Sequence, residues 1–155
     1  MDAQKILLPY NFAPSDQKAL KFVVRTFGAM ENAEITLFHA FTPISEIDAA
    51  DHQSATAKLK RRLSYLTQEL TEREMALQDV RQHLIDEGFH RDRVRYVFKS
   101  RKGETAAAII DQTKEVAYDV IVLNHKPGKV TRFFTGSVFS KVVTAVRDIT
   151  VCIVS

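Results

Sequence analysis

The residues best suited to chemistry lie between Asn124 and Val138. His125, Lys126, Lys129 and Arg132 fall in a stretch, 124–135, that contains no carboxylate. Gly128 stands among them, and Gly136-Ser137 closes the stretch just before Val138, where a helical pattern opens. Glycine lets backbone amides approach a ligand closely. A helix start adds free N–H groups and the positive end of the helix dipole. Cations, glycine and a helix start together suit an anion, above all a phosphate. His125 is the histidine best placed to touch one. The competing reading is that these cations are solvated loop residues with no ligand. Phe133 and Phe134 are unusual in such a loop and are read as packing residues.

No apparatus for catalysis accompanies this stretch. Gly-x-Ser-x-Gly, His-Glu-x-x-His and the Gly-x4-Gly-Lys-[Ser/Thr] phosphate loop are all absent from the sequence. The single cysteine, Cys152, excludes an internal disulfide and a cysteine zinc cage. It lies within an apolar run and reads as a buried, inert thiol. His39 closes another apolar run and is read first as a hydrogen-bonded structural histidine, second as a ligand contact. His52, His83 and His90 sit in polar surroundings and read as surface residues.

The elements that must position these residues follow from apolar periodicity. Strand-like runs occur at Lys5–Pro9, Glu34–Phe41, Val94–Lys99, Asp119–Leu123 and Thr150–Val154. A helix is expected from Ser15 to Gly28, with Leu20, Val23, Val24 and Phe27 on one face. A second is expected over about 54–87, a third over 104–116 with Ala107, Ile109 and Ile110 inward, and a fourth from Gly136-Ser137. Strand and helix alternate throughout, which implies parallel strands joined by right-handed crossovers. Asp119–Leu123 is apolar on both faces, as a central strand is. Val94–Lys99 alternates, as an edge strand does. A phosphorelay receiver needs clustered acids at the end of its first strand, where this chain has Tyr10-Asn11, so that class is excluded.

The second helix is unusually long. Leu59, Leu63, Leu66, Leu70, Leu77 and Leu84 keep a 4-3-4 spacing broken at Arg73. It is expected to lie on its own sheet with overhanging ends, rather than to form a coiled coil with a partner.

The chain has 155 residues, 22 Lys+Arg against 19 Asp+Glu, and a formal net charge of +3. That length fits one domain, residues 1–155, with a full core. The charge is too small to imply nucleic-acid binding. No apolar run is long enough for a membrane helix, and the first residues do not read as a signal peptide. A soluble, cytoplasmic protein is expected.

Three stretches resemble the universal stress protein family. KILLPYNFAPSDQKAL resembles its opening strand, turn and first helix. AEITLFHAF resembles its second strand. YDVIVLNHKPGKVTRFFTGSVFSKVV with DITVCIVS resembles its signature region and last strand. The resemblance implies a single-domain α/β fold, Rossmann-like and of the adenine nucleotide alpha hydrolase type. Its five parallel strands run in order 3-2-1-4-5, with helices on both faces. It also implies a homodimer through the last strand, residues 149–155.

One branch of that family binds ATP through a loop G-x2-G-x9-G-[Ser/Thr]. Gly136, Ser137 and Val138 match its end. The middle departs: if Gly128 is the second glycine, His125 takes the first position; with the spacing kept, Leu123 and Lys126 replace both glycines. Asn11 stands where the family commonly has an aspartate against the nucleoside, and Ala40 where it has a small residue against adenine. In that strand order the ligand crevice opens between strands 1 and 4. Its walls would be Pro9–Pro14 and Asn124–Thr135. Lys99, Arg101 and Lys102 join Lys126, Lys129 and Arg132 at the same edge, six cations in all. The expected ligand is ATP or another adenine nucleotide, with Mg²⁺ present only alongside it. A nucleotide-free dimeric interaction module is the alternative, and a slow ATP hydrolase a third reading.

Overall fold

The order β3-β2-β1-β4-β5 of one all-parallel sheet organises the chain. The computed structural model describes residues 2–44, 56–125 and 138–155. Its elements are β1 (Gln4–Pro9), α1 (Asp16–Phe27), β2 (Ala33–Phe41), α2 (Thr56–Asp86), β3 (Val94–Ser100), α3 (Thr105–Glu115), β4 (Val120–Asn124), α4 (Val138–Ala145) and β5 (Thr150–Val154). The strand order expected from the family resemblance is the one found. β4 sits between β1 and β5, which is why VIVL is apolar on both faces. β3, the alternating strand, lies at one edge.

Strand alternation sorts the core into two layers. Ile6, Leu8, Ile35 and Leu37 point to the face covered by α1 and α2, where Leu20, Val23, Leu77 and Leu84 meet them. Leu7, Phe38, Ile121 and Leu123 point to the other face, under α3 and α4, with Ile109 and Val142. Each fully buried leucine or isoleucine contributes about 1.5–3 kcal/mol relative to exposure. α3 turns Ala106, Ala108, Ile109 and Gln112 inward. Ala107, expected inward, is exposed. At 3.6 residues per turn it falls on the side of the helix opposite the centre of those four. In the same way Val142 is buried while its neighbour Val143 is exposed.

α2 has 31 residues, about 46 Å at 1.5 Å per residue. β3, with 7 residues, spans only about 23 Å. The helix therefore runs past the sheet. Its C-terminal half is anchored by Leu77 and Leu84, both 0% exposed. Arg81 fastens it to the following segment, its Nε donating to the Val94 carbonyl at 2.7 Å and its guanidinium to the Arg91 carbonyl at 2.9 Å. Gly88, at φ 114°, makes the turn that ends it.

Candidate functional site at the carboxyl edge of β1 and β4

β1 and β2 stay in register along six residue pairs, but β1 and β4 pair only at Ile6↔Val120 and Leu7↔Ile121. Beyond Leu7 the two strands part. α1 leaves on one face and α3 and α4 cover the other, so the parting becomes a cleft, the usual ligand position in an open parallel sheet. Pro9, Asn11, Ala13, Ser15 and Asp16 line one wall. Leu123, Asn124, Ile109, Val138 and Phe139 line the other, around about 160 Å³.

A buried carboxylate holds the base of this cleft. Asp16 is 3% exposed. Its Oδ2 accepts the backbone N–H groups of Asn11 and Ala13, both at 2.9 Å. Its Oδ1 accepts from the Asn124 side-chain amide, across the parting between β1 and β4. Burial pushes the carboxyl above its ordinary range, and the donors from Asn11, Ala13 and Asn124 oppose that rise. Asn124 Oδ1 is buried in the same place without a partner among the described residues. Ser15, the expected cap of α1, makes no capping bond with its side chain. Asp16, one residue further on, reaches back to the loop instead.

The β1–α1 loop turns through Phe12, at φ 61°. A bulky residue in the left-handed region is strained by about 1–2 kcal/mol. Its ring has edge contacts that offset the strain, with Tyr10 at 5.2 Å and His39 at 5.1 Å. His39 stacks on Phe98 at 5.6 Å and donates from Nδ1 to the Tyr10 carbonyl at 2.8 Å. That carbonyl can only accept, so the neutral ring carries its proton on Nδ1. Nε2 is buried without a partner among the described residues, and burial lowers the histidine pKa. His39 is thus a structural link between β1 and β2, as its first reading held.

Of the expected site residues, Pro9, Asn11 and Val138 line the cleft. Ala40 is 7% exposed beneath α3, and the described lining does not include it. His125 donates its backbone N–H to the Val154 carbonyl at 2.8 Å, and its ring meets the Phe139 ring edge-on at 5.0 Å. Lys126, Gly128, Lys129, Arg132, Gly136 and Ser137 lie outside the described residues, as do Phe133, Phe134 and His52.

The cationic edge is more mixed than its loop sequences imply. Lys99 turns to α3, where it bonds the Gln112 amide oxygen at 3.1 Å and pairs with Glu115 at 3.5 Å. Arg101 folds onto the Gly103 carbonyl and the Thr42 hydroxyl. Glu104 meets Lys141 at 2.5 Å, and that hydrogen bond holds its carboxyl below the ordinary range. Sequence reasoning missed Asp16 and Asn124, and therefore the carboxylate at the centre of the cleft. An aspartate in the first turn after a loop was the available signal, since such side chains bond free amides near helix starts. Among the described residues no cluster of three or more His, Cys, Asp or Glu is placed to hold a metal.

An open parallel α/β sheet with its cleft at the β1/β4 parting is a doubly wound, Rossmann-like class of fold. A sequence model of the universal stress protein family matches residues 3–152. The chain belongs to the universal stress protein family. Its fold matches the universal stress protein UspA from Lactobacillus plantarum with a TM-score of 0.69 and 20% identity, covering 100% of this chain and 99% of that one. It matches a universal stress protein from Archaeoglobus fulgidus in complex with dAMP (TM-score 0.65, 15% identity, 100% of each chain). It also matches a universal stress protein in complex with cAMP (TM-score 0.65, 15% identity, 100% of this chain and 98% of that one). Among curated protein sequences, none matches this chain. No helix among the described residues is long and apolar enough to cross a membrane.

Proposed function

We propose that this chain binds an adenine nucleotide in the cleft between β1 and β4. The observation that carries the reading is the pair of amide side chains, Asn11 and Asn124, with Ser15 and Asp16 in a cleft whose other walls are apolar, among them Pro9, Leu123 and Phe139. The buried, unpartnered Oδ1 of Asn124 suits an exocyclic amino donor, and Asn11 offers both donor and acceptor. Apolar walls with a few convergent polar groups are the usual composition of such a site. Solved relatives in complex with dAMP and with cAMP support the ligand class.

In this reading Pro9 and Asn11 face the nucleoside. Gly128, Gly136 and Ser137 hold phosphate through backbone amides and a hydroxyl, before the start of α4 at Val138. Lys126, Lys129 or Arg132 neutralises its charge, and His125 contacts it. Mg²⁺ accompanies a polyphosphate only. The test is thermal unfolding with AMP, cAMP, ADP and ATP–Mg²⁺. A ligand at about 100 times its Kd stabilises the native state by about 2.7 kcal/mol. For a domain of this size that raises Tm by roughly 5–10 °C. No shift with any of the four at millimolar concentration overturns the proposal.

One observation favours a second reading, a nucleotide-free homodimeric interaction module. The Asp16–Asn124 bond spans the cleft, and its about 160 Å³ falls below the ~300–1,000 Å³ of typical small-molecule sites. In this reading residues 149–155 form the dimer contact. β5 is an edge strand with Ile153 47% exposed, the exposed apolar edge that strand pairing covers. For the slow hydrolase reading, the acid in the described lining of the cleft is Asp16, which already accepts from three donors.

A further inference from the structure

The apolar stripe of α2 continues beyond the point where its own domain covers it. Read along the helix, Leu59, Leu63, Leu66, Leu70, Arg73, Leu77, Val80 and Leu84 alternate by four and three residues, with Arg73 the one charged member that interrupts the apolar series. This is the a/d seam of a coiled coil. Leu77 and Leu84 are fully buried against the sheet, whereas Leu59, Leu63, Leu66 and Leu70 are only half-buried on the overhang. Charge divides along the same axis. Residues 56–66 hold Lys58, Lys60, Arg61 and Arg62 with no acid. Residues 67–79 hold Glu69, Glu72, Glu74 and Asp79 against Arg73 alone. Cations near a helix N-terminus oppose the helix dipole, so this arrangement does not serve the isolated helix.

We propose that the overhang of α2 docks antiparallel on the α2 of a second copy of this chain. Antiparallel pairing sets the basic segment of each helix against the acidic segment of the other. Parallel pairing would set like charges together. A two-fold axis between positions 64 and 65 layers Leu63 on Leu66 and Leu59 on Leu70 of the second copy. Glu69 then lies beside Arg62 of that copy, both at g positions, which meet along one flank of an antiparallel seam and help select orientation. A receptor for the Leu59 knob is already present. Phe41, Thr42, Leu66, Glu69, Leu70 and Arg73 surround a depression of about 150 Å³ where α2 passes the end of β2. Its floor is apolar and its rim carries Glu69 and Arg73, paired at 3.2 Å and half-exposed. The contact is isologous, so it closes as a pair. It is short, so a reversible association is expected.

The test uses sedimentation velocity on the full chain carrying Ile153→Asp, which removes association through the β5 edge from the readout. This parent is expected to dimerise reversibly at high micromolar concentration. Lys60→Glu/Arg62→Glu cancels the net charge of the basic segment and sets an acid at position 62 against Glu69, and Glu69→Lys/Glu72→Lys turns the acidic segment net basic. Each alone is expected to weaken the dimer at least about tenfold through like-charge contact. An equimolar mixture of the two is expected to recover it as a heterodimer, which misfolded variants would not do. A parent that stays monomeric, variants with unchanged affinity, or a mixture that fails to associate would each overturn the proposal.

Discussion

Replacing Asp16 separates the two contributions of its carboxylate, the hydrogen bonds and the buried charge. Asp16→Ala leaves the amides of Asn11, Ala13 and Asn124 without their acceptor. All three groups are only part-buried, so each loss costs about 1 kcal/mol, the low end for a donor left without its acceptor. The sum is about 3 kcal/mol, or roughly 6–12 °C in Tm for a domain of this size. Asp16→Asn keeps one oxygen for the two backbone donors. Its new amide would face the Asn124 amide, but a flip of Asn124 presents Oδ1, the atom now buried without a partner. This variant is therefore expected within about 1 kcal/mol of the parent at neutral pH.

The pH dependence supplies the sharper check. Burial raises the native Asp16 pKa above its value in the unfolded chain. Between those two values the native state binds more protons than the unfolded one. The Asp16 contribution is therefore fully present below about pH 4 and is lost as pH rises through the raised native pKa. Asp16→Asn lacks that loss, so its Tm relative to the parent should climb as pH increases from 4 to 7. Thermal melts of all three proteins across that range decide the matter. An Asn variant as unstable as the Ala variant, or one that loses ground as pH rises, would refute the reasoning.

His39 has the opposite sign. Burial lowers its pKa, so below about pH 6.5 the unfolded chain binds more protons and stability falls with falling pH; His39→Phe should flatten that decline in melts between pH 7.5 and 5. Phe12 combines backbone strain with ring packing. Both truncations should destabilise, but Phe12→Gly should be about 1 kcal/mol more stable than Phe12→Ala, because only glycine adopts the left-handed turn freely; equal denaturant midpoints would contradict this. If the β5 edge forms the dimer, Ile153→Asp should lower its affinity at least about tenfold in sedimentation without changing Tm in dilute solution.

Elements with long periodic or β-rich runs were legible, and those whose meaning depends on strand order were not. DVIVL announces a central strand because only burial on both faces tolerates such a run, and β4 lies between β1 and β5. Ser15 marked the start of α1, yet the residue that shapes the site is Asp16. Its partner Asn124 is 108 positions away and becomes a neighbour only because β4 joins the sheet beside β1. No local pattern announces that bond; the strand order does, once it is combined with an acid in the first turn of α1.

Lys99 shows a different loss, that of a signal that was present. Counting loop cations placed it at the ligand edge. It also closes the expected strand run Val94–Lys99, within β3, where Tyr96 and Phe98 face the α1–α2 layer while Val97 packs in the α3–α4 layer. Strand alternation then puts Lys99 on the α3 side with Val97, and there it meets Gln112 and Glu115. The same rule separates Ala40 from His39, one residue apart on β2. Ala40 goes under α3, and His39 into the aromatic stack with Phe12 and Phe98. A charge near a strand end thus has to be assigned to a sheet face before it is assigned to a site. By that criterion the electrostatics described at this cleft begin with the Asp16 carboxylate.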